Sequence, residues 1–404
     1  MPLLYEPARH EPLTATPWSE GAAHEAVARI TGDALASFTP EALWPPHPLD
    51  DANPADSRPL PLYDGAGGVI WALQHLRRVR AIDRDFDFDF RATVATLVER
   101  HRTVIASWDN AHGSYLLGDT GLLLLQWQFT HDAAVADELF TTVEANLHHK
   151  SLEALWGSPG SLLAARHMAE ATNEPRWRDQ LERGLRILWD AMVFDEGLGA
   201  WLWVQDMYGR HSRYLGAGHG FAGNIFPALG GASWLPSELV QRYADRALQT
   251  LTATAVADGT CINWAPEHDP RGQPPNKWLV QDCHGGPGIV CRLADAPRTP
   301  AWDALLLGAG ELVWRAGPLE KGVGLCHGTA GNGYALLKLW QRSGDEVWRD
   351  RARAFAMHAI EQVQRFAERT GQTRHSLWTG DIGVALFAHA CIVGDARYPT
   401  LDVF

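Results

Sequence analysis

Apolar and polar positions follow one another along this chain in two registers. In the first, apolar residues recur at steps of three and four, as Trp177, Leu181, Leu185, Leu188 and Met192 do, with charged residues between them. That spacing lays one apolar stripe along a helix whose other face is wet. Stripes of the same kind run through 22–38, 88–107, 132–148, 236–256, 299–316 and 345–368, the last carried by Trp348, Ala352, Phe355, Ala359 and Val363. In the second register, Gly-x-x-Gly opens a segment that is apolar almost throughout, as in Gly121-Leu122-Leu123-Leu124-Leu125. A helix of that composition belongs in an interior.

The glycine pattern occurs seven times, at 65–68, 118–121, 157–160, 220–223, 285–288, 328–331 and 380–383. Each interval has room for a loop and two helices, the mark of a repeat whose units bury their apolar faces against their neighbours. Seven half-exposed helices alternating with seven buried ones predict two concentric rings. The fold class is therefore all-α, an (α/α)7 barrel or toroid, with the glycine turns gathered at one end of the inner ring. Glycine suits such turns because it takes φ > 0 and lets helices approach closely. One stretch departs from helix: alternation followed by a glycine turn predicts a small β-hairpin near 201–214. A Pro-rich stretch at 44–61 reads as a long ordered loop, and the Pro- and polar-rich stretch at 258–282 is expected to wall a site.

With 404 residues and no Ser/Gly linker or charge block, the chain reads as one domain, 1–404. Its five cysteines form no regular framework, its first residues lack signal-peptide character, and no apolar run approaches eighteen residues. A soluble, cytoplasmic protein without membrane insertion is expected. A net charge of −13 argues against nonspecific binding to nucleic acid or anionic membranes.

Two of the glycine turns are extended in the same way, to Cys283-His284-Gly285-Gly286-Pro287-Gly288 and Cys326-His327-Gly328-Thr329-Ala330-Gly331. Equivalent turns place two thiols in equivalent settings, as in a divided metal site. Thiolate and imidazole are preferred ligands of Zn2+, and three protein ligands leave a fourth position open for a substrate. Cys261, Cys291 and Cys391 lie outside these motifs and read as small buried hydrophobes.

These motifs, with Gly218-His219-Gly220-x-x-Gly223 in the fourth repeat and Asn332 after the sixth, resemble the lanthionine synthetase C-like family over nearly the whole chain. That family includes bacterial lanthipeptide cyclases and glutathione-binding relatives. The resemblance implies an (α/α)7 barrel with one zinc held by Cys283, Cys326 and His327. It also implies His219 as the acid/base histidine and Glu153 as the acid of the third repeat. Lys321 and Arg369 resemble positions that hold glutathione carboxylates. Asp282 departs from the pattern, standing where many members have Trp. The implied partners are a dehydrated peptide substrate or glutathione, and a lanthipeptide dehydratase or a kinase.

The implied chemistry is consistent with the residues. A free thiol is only a few per cent ionised at neutral pH, whereas a thiol on zinc is deprotonated outright. Its sulfur can then add to dehydroalanine or dehydrobutyrine in a Michael addition, giving a thioether after protonation of the enolate. His219 or His284 supplies that proton, with Glu153 orienting a histidine. Two other readings remain open at this point. A non-catalytic zinc scaffold binding peptides, glutathione or a kinase-like partner would use the same ligands. A sugar epimerase or glycosidase on an (α/α) barrel would leave the two Cys-His-Gly motifs unexplained.

Overall fold

A computed structural model describes residues 3–50, 60–83, 86, 88–106 and 111–404. Fourteen α-helices alternate among the described residues: α1 (Glu20–Ala36), α2 (Ala66–Arg78), α3 (Phe90–Ile105), α4 (Asp119–Thr130), α5 (Ala133–Asn146), α6 (Ser158–Thr172) and α7 (Pro175–Asp190) make the first half. The second half comprises α8 (Phe221–Gly230), α9 (Ser237–Thr254), α10 (Gly286–Leu293), α11 (Pro300–Ala316), α12 (Thr329–Ser343), α13 (Glu346–Thr370) and α14 (Asp381–Val393). The odd-numbered helices are the striped segments, and the even-numbered ones begin at the glycine turns. Each even helix packs on the next, and α14 packs back on α2, so the inner ring closes. The fold is an (α/α)7 toroid.

The two rings start their helices by different means. Ser19, Asp89, Asp132, Thr299 and Asp345 cap α1, α3, α5, α11 and α13 by accepting from an amide of the first turn, which satisfies one of the donors a helix start leaves open. The inner helices have no side-chain cap. Their first amides instead bond carbonyls of the preceding loop seven residues back: Asp119 to His112 at 2.8 Å, Phe221 to Tyr214 at 3.0 Å, Thr329 to Gly322 at 3.1 Å and Asp381 to Arg374 at 2.6 Å.

That wrap presses the loop onto the second glycine of each motif. A Cβ on Gly160 would lie 2.0 Å from the Ala154 carbonyl oxygen, and one on Gly288 1.7 Å from that of Asp282. The expectation of φ > 0 holds at only one capping glycine, Gly285, with φ +107°. The other six capping glycines have negative φ, so close approach rather than handedness is what requires glycine here.

Three short hairpins interrupt the helices. β1 (Val193–Asp195) pairs with β2 (Ala200–Leu202), and β3 (Gln205–Met207) with β4 (Arg210–Ser212), both between α7 and α8. The hairpin expected near 201–214 is present as β3 and β4, with a further hairpin before it. The turn at Tyr208 and Gly209, both at positive φ, closes β3 and β4, while Trp201 and Leu202 pair with Phe194 and Val193 of β1. A third hairpin, β5 (Val256–Asp258) with β6 (Cys261–Asn263), opens the stretch expected to wall the site. The Pro-rich stretch at 44–61 falls partly outside the described residues. No described helix is long and apolar enough to cross a membrane.

Candidate metal centre

The loops before the inner helices are joined edge to edge by backbone hydrogen bonds. Gly218 N–H donates to Cys283 O, Cys283 N–H to Cys326 O, Cys326 N–H to Trp378 O, Trp378 N–H to Tyr63 O, and Tyr63 N–H to Leu116 O, at 2.9 to 3.2 Å. Each of these residues lies two positions before the first glycine of its motif. The repeat thus builds a belt around the mouth of the ring, and both motif cysteines sit on it in consecutive places. Backbone held in a ladder positions its side chains more tightly than a free loop would.

On this belt the ligand atoms of Cys283, Cys326 and His327 lie within 4.8 Å of one another. The two thiols are hydrogen-bonded to each other. The hydrogen bond from Cys326 holds the Cys283 pKa well below the ordinary thiol value against the opposing effect of burial, while the same bond and burial push Cys326 up. Two thiols and an imidazole at this separation form a donor set suited to zinc, and a dication among them would let both sulfurs ionise. The residues fit the metal. Cys261, Cys291 and Cys391 are buried among apolar neighbours, as expected.

Glu153, fully buried, accepts hydrogen bonds from the Leu155 and Trp156 amides at 2.9 and 2.6 Å and from the Ser151 hydroxyl at 3.2 Å. Its Oε2 lies 2.9 Å from Nδ1 of His219. Burial by itself lowers the His219 pKa, but the hydrogen bond and charge of Glu153, with the charge of Cys283, outweigh it and raise the value above that of a free imidazole. The same bond leaves Nε2 as the atom for proton exchange. His284 stacks obliquely against His219 with ring centroids 5.7 Å apart, its Nδ1 is buried without a hydrogen-bond partner, and burial lowers its pKa.

Two spaces lie at the site, and only the inner one is lined by the triad. An inner cavity of about 230 Å³ is lined by Cys283, Cys326, His327 and His219 together with apolar side chains such as Phe226 and Leu163. An outer groove of about 1160 Å³ is bounded by the 258–282 stretch and by His284. Gln281 and Lys321 line both. Arg369 lines neither: it is exposed on the last turn of α13, with its guanidinium 4.3 Å from the Phe366 ring centroid.

Three neighbours of the triad escaped the sequence reading. Tyr63 hydrogen-bonds Cys326, and its pKa is raised well above the ordinary phenol value by burial and by the nearby sulfurs. Gln281 donates from Nε2 to Cys283 Sγ at 3.0 Å. Arg292 makes a two-point contact with Asp282 at 3.1 and 2.7 Å and lies 4.9 Å from the Tyr398 ring centroid. The repeat register offered a signal for Tyr63, which stands two residues before Gly65 just as Cys283 and Cys326 stand before their glycines.

Asp282 thus adds no unpaired charge beside Cys283. Its carboxylate is 1% exposed and Arg292 is 5% exposed. Burial pushes the Asp282 pKa up against the pull of Arg292, whereas the charge of Asp282 overcomes burial and raises that of Arg292. The two directions disagree about the carboxyl group, and the two-point geometry favours the ionised pair.

The family model for "Lanthionine synthetase C-like protein" matches residues 56–403. The chain is 38% identical over 142 residues to "LanC-like protein GCL1" of Arabidopsis thaliana, an alignment covering 33% of this chain and 32% of that protein. It is 37% identical over 131 residues to "Glutathione S-transferase LANCL1" of Danio rerio, covering 31% and 32%. The chain therefore spans about a third of the length of the curated relatives it matches. Among solved structures, "Nisin cyclase" superposes with a TM-score of 0.64 at 14% identity, covering 91% of this chain and 94% of that one, which shows a shared fold. With the model matching most of its length and the closed double ring of helices in place, the chain belongs to the lanthionine synthetase C-like family.

Proposed function

We propose that this protein is a zinc-dependent enzyme that adds a thiol to a dehydroalanine or dehydrobutyrine residue, forming a thioether. The observation that carries the reading is the opening of the Cys283–Cys326–His327 triad into a cavity that His219 also lines. Bound in the triad, zinc supplies the means to ionise an incoming thiol at neutral pH. The remaining work falls to the chain. Apolar side chains of the inner cavity exclude water from the alkene, and Glu153 fixes the His219 ring through Nδ1. As the sulfur–carbon bond forms, the π electrons of the alkene move toward the adjoining carbonyl, and Nε2 of His219 delivers a proton to the α-carbon. The proton released by the thiol restores the imidazolium, so the reaction balances as an addition.

The name of the zebrafish relative, a glutathione S-transferase, supports glutathione as the thiol. So does Lys321, an ammonium placed where the two spaces meet. A cysteine within the dehydrated peptide is the alternative nucleophile, and a dehydratase, which generates the alkene by eliminating water from Ser or Thr, is the partner this chemistry would need.

The test is to incubate zinc-loaded protein with a dehydroalanine peptide, with and without glutathione, and to identify products by mass spectrometry. A glutathione adduct is expected, and Lys321→Ala should lower its yield at limiting glutathione by about ten- to a hundredfold, the range for one charge-assisted hydrogen bond. A glutathione adduct whose yield is unaffected by Lys321→Ala would remove Lys321 from glutathione binding, and a thioether formed only without glutathione would favour a peptide cysteine as nucleophile. No thioether with either thiol would leave the zinc scaffold.

A further inference from the structure

The outer groove has a charge opposite to that of the chain around it. Six cationic side chains line it, Arg9, Arg210, Arg213, Arg271, Lys277 and Lys321, against two carboxylates, Glu267 and Asp269. Six minus two leaves an excess of four positive charges, on a chain whose net charge is −13. Both carboxylates are already occupied, Glu267 by Arg210 at 3.2 Å and Asp269 by Arg271 at 2.8 Å. Among the described residues, Arg9, Arg213, Lys277 and Lys321 have no carboxylate partner, and Arg9 reaches only the amide oxygen of Gln281 at 3.4 Å. A concave patch of one sign on an oppositely charged molecule concentrates field, attracting ligands of the other sign.

Size decides what kind of ligand fits. The inner cavity, about 230 Å³, falls below the range of about 300 to 1000 Å³ typical of small-molecule sites, and the outer groove, about 1160 Å³, exceeds it. An inner space fit for one side chain, opening into an outer space fit for several residues, suits a peptide with one residue inserted and its neighbours outside. The wall supports the same occupant. Pro266, Pro270, Pro274 and Pro275 line the groove, each with a fixed φ and no N–H, so this side of the groove is stiff and recognition falls to its cations. Gln281 and Lys321 connect the groove to the triad.

We infer that the outer groove is a docking channel for an acidic peptide segment, whose carboxylates lie against Arg9, Arg213 and Lys277 while the reactive residue enters the inner cavity. The inference deepens the proposed function by naming the class of peptide; only the fate of the inserted residue depends on the thioether chemistry. Exposed ion pairs are individually weak, so selectivity rests on several acting together, and it is sensitive to salt because the cations face water.

The experiment uses the full chain and fluorescein-labelled decapeptides with a central Ser, having neither thiol nor alkene, so that docking is read without catalysis. One peptide has glutamates flanking the Ser, and its control has glutamines. By fluorescence anisotropy the glutamate peptide should bind about tenfold or more tightly than the control at about 50 mM salt, with most of that advantage lost at about 300 mM. The double variant Arg213→Glu/Lys277→Glu, checked for an unchanged circular dichroism spectrum, should abolish the preference. Chelator-treated protein should behave like zinc-loaded protein, so loss of the metal reading would leave this result standing. Equal affinities for the two peptides, or a preference that survives the double variant, would overturn the proposal. So would a labelled single-stranded RNA of equal charge that binds as tightly as the glutamate peptide.

Discussion

Replacing His219 by Ala is expected to lower the rate of thioether formation by about a hundredfold or more, the usual effect of removing a general acid or base, while zinc content stays at the wild-type level. The geometry separates the two outcomes. His219 bonds Glu153 through Nδ1 and is absent from the triad whose ligand atoms converge, so its loss removes a proton donor without removing a ligand. Mass-spectrometric product rates and metal analysis on the same preparation check both parts. A variant that loses its zinc, or one that retains full activity, would contradict the role assigned to this histidine.

The largest stability effect is expected at the buried Asp282–Arg292 pair next to Cys283. Arg292→Leu leaves the Asp282 carboxylate without its cation at a position almost fully excluded from water, and breaking such a pair costs about 3 to 5 kcal/mol. Removing both charges, as in Asp282→Asn/Arg292→Leu, should recover part of the loss because no buried charge is left unpaired. Urea unfolding midpoints at unchanged slope measure both. A single variant within about 1 kcal/mol of wild type, the usual scale of a point substitution, would mean that Asp282 is already neutral in the folded protein.

Both rings of the fold were legible in the sequence because each records its environment in its spacing. The stripe of Trp177, Leu181, Leu185 and Leu188 lies buried along α7, and the seven Gly-x-x-Gly motifs all begin inner helices. The physical reason for the second glycine was only half legible. It depends on a loop carbonyl arriving from six residues upstream, which spacing alone does not reveal. The hairpins were harder because strands of three residues are too short to establish a period. The two-residue turn of β5 and β6, Gly259-Thr260 between the paired Asp258 and Cys261, nonetheless bears a recognised hairpin signal, a glycine at its first position with φ +60°.

At the site, the thiols were found because their motif is doubled and Tyr63 was marked only by its place in the repeat, whereas Gln281 and Arg292 carry no motif and act only through contacts made in three dimensions. The belt of backbone hydrogen bonds explains why the doubling is informative. Equivalent places in adjacent repeats are bonded neighbours on the ring, so a residue type repeated in sequence becomes a pair in space. Arg369 illustrates the opposite case: a position matched only by resemblance, outside the glycine motifs, is exposed at the end of α13, with no repeat to fix where it points.

The central claim is that Cys283, Cys326 and His327 hold one zinc, and metal content per chain tests it most directly. Elemental analysis of purified wild type, Cys283→Ala and Cys326→Ala, each with its helical content confirmed by circular dichroism, should find about one zinc in the wild type and substoichiometric metal in both variants. Equal zinc in all three would contradict the account.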